Sequence, residues 1–208
     1  MQTFEQRRQL RHALIVMAAR RHRPGTGSSV AWLKETGVGA VMNVPNFDFV
    51  GAPWCVVGAV AANAYMSPRQ TADLDIAILA RDRPQVHRAL QGKGFRHVQE
   101  LNIPGSTWAA PAGGNVDVLE MSQPWAADAM LKAESGRIAG VPLMPLVYLV
   151  LMKLEASRSI DVGDLSRMLA LATEQQLAEI RQLVGHWMPN DIEDLEQLLA
   201  LGRAELEP

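Results

Sequence analysis

The middle of the chain alternates short apolar runs with turn residues. "WCVVG" at 54–58 is an apolar run closed by a glycine and predicts a buried strand, "AVAANAYM" is compatible with a helix, and "SPRQ" predicts a turn. "ADLDIAIL" at 72–79 alternates acid and aliphatic residues, the period of a strand with one polar face. "RPQVHRALQGKG" predicts a helix with a glycine stop, "FRHVQEL" and "STWAA" a hairpin, and "NVDVLEM" another strand. "RIAGVPLM" at 137–144 predicts one more.

From about Pro145 the pattern turns helical throughout, in "PLVYLVLMKLEASRS", "DVGDLSRMLALA", "EQQLAEIRQLV" and "DIEDLEQLLALGRAEL". Residues 1–23 set Phe4, Leu10, Leu14 and Met17 on one helical stripe with arginines on the other side, and "RPGTGSS" then breaks that helix. Residues 30–53, rich in glycine and proline, predict irregular structure with a short helix near 29–35. The expected fold is α/β (α+β): a mixed β-sheet core with flanking helices, followed by a C-terminal helical region. Its expected divisions are 1–53, a helix and irregular segment packed on the core, then the core at 54–144 and the helices at 145–208.

Composition narrows this picture without redirecting it. At 208 residues and 48% hydrophobic content the chain can bury a sizeable core. A net charge of −2 gives no global sign of nucleic-acid or membrane binding. Charge is nevertheless uneven, with seven basic residues and one acid up to Lys34, and eight acids and two arginines from Glu174 onward. Two solvated helix faces account for this; a basic N-terminal helix would also suit RNA. Cys55, the single cysteine, excludes an internal disulfide or cysteine metal site and fits a reducing, cytoplasmic setting. Basic residues follow the N-terminal apolar stretch where small cleavage-site residues would stand, which argues against a signal peptide. The apolar run Val141–Met152 is too short to span a bilayer.

The chemistry lies in the acids. Asp73 and Asp75 are two apart, so in a strand both carboxylates share a face, and like charges held together repel unless something positive intervenes. Hard oxygen ligands suit Mg2+ or Mn2+. Exposed strand acids explain an Asp-x-Asp equally well. Asp117, again between aliphatic residues on an expected strand, can join the pair from an adjacent strand, and three carboxylates on one face can hold two cations about 3.5–4 Å apart for displacement at phosphorus. Gly58, where a strand passes into a helix, allows close backbone approach to a triphosphate.

"VG" followed by Ala59, then "DLDI" and a later "VDV", resembles the signature of the DNA polymerase beta-like nucleotidyltransferase superfamily. "SPRQTADLDIAI" is similar to the Arg-x-Thr/Ser-x-Asp-hydrophobic-Asp element of its minimal and abortive-infection toxin-like members, and "LMKLEASRSIDVGDL" resembles their helical Lys-Leu-x-Ala-x-Arg segment. The likeness spans roughly residues 54–170. It implies a nucleotidyltransferase sheet core, a nucleoside triphosphate as substrate, and Asp73, Asp75 and Asp117 as metal ligands, with Asp117 also deprotonating the attacking hydroxyl. It further implies that Lys153 reaches the triphosphate and that Arg69 and Thr71 brace the loop before the acids, Arg69 also touching phosphate. Ala59 departs from the Gly or Ser usual at its place and leaves only a backbone amide there. The acceptor implied is a hydroxyl of a transfer RNA end, a protein or a small molecule, and an antitoxin protein is the partner such a toxin would have.

Other readings stand beside these. Haloacid-dehalogenase phosphatases set their acids directly after an apolar strand, whereas "SPRQTA" precedes them here, and the same objection meets Asp-x-Asp glycosyltransferases. Lys153 also fits a residue snorkelling from an apolar helix. Arg158, Asp161 and Asp164 fit a helix stop and restart. The five histidines show no metal-ligand spacing. Trp54, Trp108, Trp125 and Trp187 fit the core, with Trp108 a lesser candidate for stacking a base. The functional alternative is a catalytically idle fold acting as a nucleotide-binding or interaction module.

Overall fold

The computed structural model describes residues 3–21, 29–37, 44–71 and 73–206. The expected break at 23–29 lies, apart from Ser29, outside these. The chain divides into two compact units, residues 1–37, 65–68 and 146–208 forming one and residues 38–64 and 69–145 the other. The expected first division is thereby split: the N-terminal helix belongs with the C-terminal helices, and the segment before Trp54 belongs with the sheet.

The sheet unit holds β1 (Trp54–Val56), α3 (Gly58–Asn63), β2 (Leu74–Leu79), α4 (Arg83–Gly92), β3 (Arg96–Glu100), β4 (Gly105–Ala109), β5 (Asn115–Met121) and α5 (Ala126–Ser135). The strands run in the order β1-β2-β5-β4-β3, with β2 and β5 parallel and every other pairing antiparallel. This is a mixed five-stranded sheet in an α/β fold. The hairpin of β3 and β4 forms as the alternating pattern predicts, with a register shift between His97 and Gln99. Phe47 packs edge-on against Trp54 at 5.3 Å, which anchors the segment before β1.

Two strand expectations change. The polar face of β2 is confined to its start, because from Ile76 onward every residue is buried. The cause is its central place, with β1 and β5 on its flanks and α3 and α5 packed upon it. "RIAGVPLM" forms only isolated bridges, Ile138 to Val141 and Val56 to Leu143. Pro142 lacks an N–H to extend a ladder, although its carbonyl accepts from the Val56 N–H at 2.8 Å.

On one sheet face Trp108 is fully buried, so it fills the core rather than stacking a base. Its Nε1–H donates to Ser106 Oγ at 2.9 Å, and Ser106 lies 3.2 Å from His87 Nε2 on α4. Burial pushes the His87 imidazole below its ordinary value, and the Arg83 charge adds to that. Trp54 and Trp125 are buried as expected, whereas Trp187 is exposed.

The helical unit contains α1 (Phe4–Arg21), α2 (Val30–Leu33), α6 (Leu146–Ala156), α7 (Ser159–Leu171), α8 (Glu174–Trp187) and α9 (Ile192–Glu205). The α6–α7 break falls at Ser157, whose φ of 53° is left-handed, and Asp161 caps α7 by accepting from the Arg158 N–H at 3.1 Å. A Cβ at Gly202 would run into the Ser166 carbonyl, so α7 and α9 are close enough to require glycine there.

The face of α1 is not the expected one. Phe4, Leu10 and Met17 are exposed, and the buried residues are Arg11 and Ile15. The Arg11 guanidinium binds Asp194 Oδ2 at 2.8 Å and also donates to Asp191, to Ser157 Oγ and to the Leu154 carbonyl. Burial pushes the Asp191 carboxyl above its ordinary value, which the Arg11 charge offsets only in part. Part of the sequence's charge asymmetry is thus neutralised inside one unit, where Arg11 meets the acids of the C-terminal segment.

Candidate active site

The acids stand at the start of β2 and within β5. Parallel strands keep equivalent ends together, and the register places Asp75 directly beside Asp117. On the other flank of Asp117, antiparallel β4 places Thr107 opposite it, and β3 places Gln99 opposite Thr107. Asp75, Asp117, Thr107 and Gln99 therefore form one row across the sheet, on the face opposite Trp108 and His87. Thr107 Oγ1 donates to Asp117 Oδ1 at 2.6 Å. This short hydroxyl-to-carboxylate bond was not visible in the sequence, since "STWAA" gives no cue about which carboxylate Thr107 faces.

Gly58 opens α3, two residues after β1 ends. Its φ is 63°, and a Cβ there would collide with Asp75 Oδ2 and Cγ. Glycine is required twice over, for the left-handed turn and for the room that the Asp75 carboxylate occupies. The Val57 N–H donates to the Asp75 carbonyl at 3.0 Å, which ties the turn to the start of β2. The close approach that glycine allows here is made by the Asp75 carboxylate. Ala59 follows and is buried at 7% exposure, at the start of a helix of only six residues.

The loop before the acids is clamped by a residue that sequence reasoning passed over. Asn63 is buried, and its side chain accepts from the Arg69 N–H at 3.0 Å and donates to the Arg69 carbonyl at 2.9 Å. An amide using both its groups on one residue's backbone fixes the point from which the chain returns toward Asp73. The available signal was a lone polar residue inside the small apolar run "AVAANAYM". Thr71 Oγ1 donates to the Asp73 carbonyl at 3.2 Å.

The candidate residues are thus brought together unequally. Gly58, Asp75 and Asp117 converge, Arg69 and Thr71 shape the loop, and Asp73 stands just outside β2. Among the described residues no group of three or more His, Cys, Asp or Glu side chains is drawn together closely enough to hold a metal ion. The donors that do adjoin, the Asp75 and Asp117 carboxylates on neighbouring strands, suit a hard divalent cation. Lys153 belongs to the helical unit and does not snorkel. It is buried at 3% exposure, with its Nζ 3.0 Å from Asp161 Oδ1 and 2.7 Å from Asp164 Oδ2. Arg158 joins the same carboxylate, its Nε 2.8 Å from Asp161 Oδ2. A cavity of about 570 Å³, lined by Trp54, Leu79, Met130 and Arg137 among others, sits at the far ends of β1 and β2 from Gly58 and Asp75.

No protein-family model matches the chain, and no curated protein is significantly similar to it in sequence. Among solved structures, the crystal structure of ANT(2'')-Ia in complex with adenylyl-2''-tobramycin is 17% identical, with a TM-score of 0.39, covering 77% of this chain and 92% of that one. The solution structure of the antibiotic-resistance factor ANT(2'')-Ia is 15% identical, with a TM-score of 0.38, covering 98% and 89%. Terminal uridylyl transferase 4 from Trypanosoma brucei with bound GTP is 10% identical, with a TM-score of 0.33, covering 79% of this chain and 56% of that one. At scores this low the likenesses carry no argument, and what the chain does rests on its own residues. Among the described residues no helix is long and apolar enough to cross a membrane.

Proposed function

We propose that the protein is a nucleotidyltransferase that moves a nucleoside monophosphate from a nucleoside triphosphate to a hydroxyl acceptor. The observation that carries this reading is the placing of Asp75 beside Asp117 in register, over a glycine turn that leaves room for a carboxylate. Two carboxylates side by side on a sheet offer a hard divalent cation two oxygen ligands at once. Asp75 and Asp117 would hold Mg2+ or Mn2+, and Asp73, at the mouth of β2, would supply a further carboxylate. Such ions would neutralise triphosphate charge and orient the reacting groups.

Asp117 would accept the proton of the acceptor hydroxyl, whose oxygen forms a bond to the α-phosphorus as the α–β anhydride bond breaks. Pyrophosphate departs with the bonding electron pair. Gly58 and Asn63 would hold the backbone on either side of the acids, and Arg69 and Thr71 would shape the loop that meets the nucleotide. Lys153, enclosed by Asp161 and Asp164, is left out of the phosphate contacts. A transfer RNA end, a protein or a small molecule would each serve as acceptor, and a toxin role with an antitoxin partner belongs to the same proposal.

A second reading, a nucleotide-binding fold without transfer, is favoured by two observations: the three acids do not close into one cluster, and Ala59 offers no hydroxyl. The two readings part when the protein is incubated with Mg2+, each α-phosphate-labelled triphosphate and a cell extract. Transfer predicts label in one pool, RNA, protein or small molecule, which also names the acceptor class. Nucleotide binding without any labelled product would leave the idle module as the better account.

A further inference from the structure

We propose that Thr107 is a positioning residue for Asp117. Its hydroxyl fixes one carboxylate oxygen so that the other is presented to a divalent cation beside Asp75. The inference rests on the nucleotidyltransferase reading above.

Asp117 has neighbours on both sides of its row, the Asp75 carboxylate on β2 and the Thr107 hydroxyl on β4. Directly opposed residues hold their Cβ atoms about 4.5–5.5 Å apart, within reach of one side-chain hydrogen bond. That bond is present at 2.6 Å, in the range of hydroxyls donating to charged oxygens. Thr107 is only 6% exposed, so little water competes for its hydroxyl, whereas Gln99 and Asn115 nearby are exposed. A β-branched residue is stiff about χ1, which lets the strand backbone set the direction of the hydroxyl.

The alternative is that threonine is here for strand propensity alone. Valine meets that need equally well and matches threonine in shape. Only the hydroxyl distinguishes them, and the hydroxyl is bonded to a candidate metal ligand. Without it, the Asp117 carboxylate loses the bond that fixes one of its oxygens and is free to turn about its own χ2. Groups that orient metal ligands in this way typically contribute about 10–100-fold to metal affinity.

The test is a titration with Mn2+ alone, with free ion followed by electron paramagnetic resonance. It compares wild type, Thr107→Val, Thr107→Ala and Thr107→Ser, each first checked by circular dichroism in EDTA. We expect both hydroxyl-free variants to bind Mn2+ roughly tenfold more weakly, and Thr107→Ser, which restores the donor, to bind as wild type does. Equal affinity in wild type and Thr107→Val overturns the positioning role while leaving the carboxylate centre intact. A wild-type protein with no affinity for Mn2+ overturns the metal reading itself, and the inference with it.

Discussion

The two units treat their acids in opposite ways. In the helical unit the buried carboxylates are matched to cations: Asp191 and Asp194 to Arg11, and Asp161 and Asp164 to Lys153. In the sheet unit Asp75 and Asp117 stand beside each other, and the group that reaches Asp117 is a neutral hydroxyl. Matched charges relieve the cost of burying one another, whereas two carboxylates side by side in register present oxygen ligands to a common cation. Carboxylates brought together across neighbouring strands, with a hydroxyl aligned on one of them, mark a candidate functional position. The contrast therefore makes a distinct claim in each unit: removing a charge from the helices should cost stability, and removing one from the sheet should cost chemistry.

The largest effect expected is on turnover. Asp117→Asn keeps size and keeps an acceptor for Thr107, but removes the anion needed to bind a cation and take a proton. Nucleotidyl transfer should fall by about 10²–10⁴-fold, the scale of a lost general base, while the urea midpoint changes little. Undiminished labelling by the folded variant would end the mechanism. A sharp fall in stability would show instead that Asp117 is held as the helical acids are.

Arg11→Met tests the other side. The substitution keeps much of the buried stem but strands Asp191 and Asp194, and removing one member of a buried ion pair costs about 3–5 kcal/mol. Urea denaturation followed by circular dichroism should show this loss. If the variant unfolds at the wild-type midpoint, Arg11 is dispensable and the contrast between the units disappears.

Gly58→Ala should fall between these. A left-handed conformation costs a non-glycine residue about 1–2 kcal/mol, and the new methyl would also collide with the Asp75 carboxylate. We expect a stability loss of that order together with weakened transfer, because Asp75 must move. Loss of stability with transfer unchanged would mean that the turn matters to the fold and not to the site.

The parts legible in the sequence were those set by local period. The strand at 115–121, the hairpin and the four C-terminal helices follow from alternation and helical spacing, which the backbone obeys directly. Arg11 illustrates what was hidden. Its neighbours on α1 predicted an apolar stripe at Leu10 and Met17, but the guanidinium's partners are some 180 residues away in sequence, and no window along the chain contains them. Thr107 and Asn63 were missed for a related reason, since their meaning lies in strand register and in a loop closure, not in their own neighbourhoods. Asp75 and Asp117 were found because an acid between aliphatic residues is an anomaly readable within three residues. That the two meet in register while Asp73 stands outside the strand is a matter of pairing, which only the assembled sheet supplies.

The smallest effect expected concerns an ion pair of the sheet unit that is not buried. Asp48 accepts from Arg137 at 2.7 Å and from the Trp54 Nε1–H at 2.9 Å. The Arg137 hydrogen bond first, and the Trp54 one second, lower its carboxyl from 3.8 to about 2. A folded-state value below the unfolded one means that the ionised form stabilises the fold. That contribution is complete above about pH 4 and is lost as the pH falls toward about 2. The Asp48 side chain is 48% exposed, so solvent screens the pair, and its worth is below about 1 kcal/mol, the range of surface ion pairs. Asp48→Asn should accordingly lower the urea midpoint slightly at pH 7, and the gap to wild type should close on acidification through that window. A gap that persists at about pH 2 would assign the role of Asp48 to packing and neutral hydrogen bonds. A gap at pH 7 as large as that of Arg11→Met would show that burial is not what separates the strong ion pairs of this molecule from the weak ones.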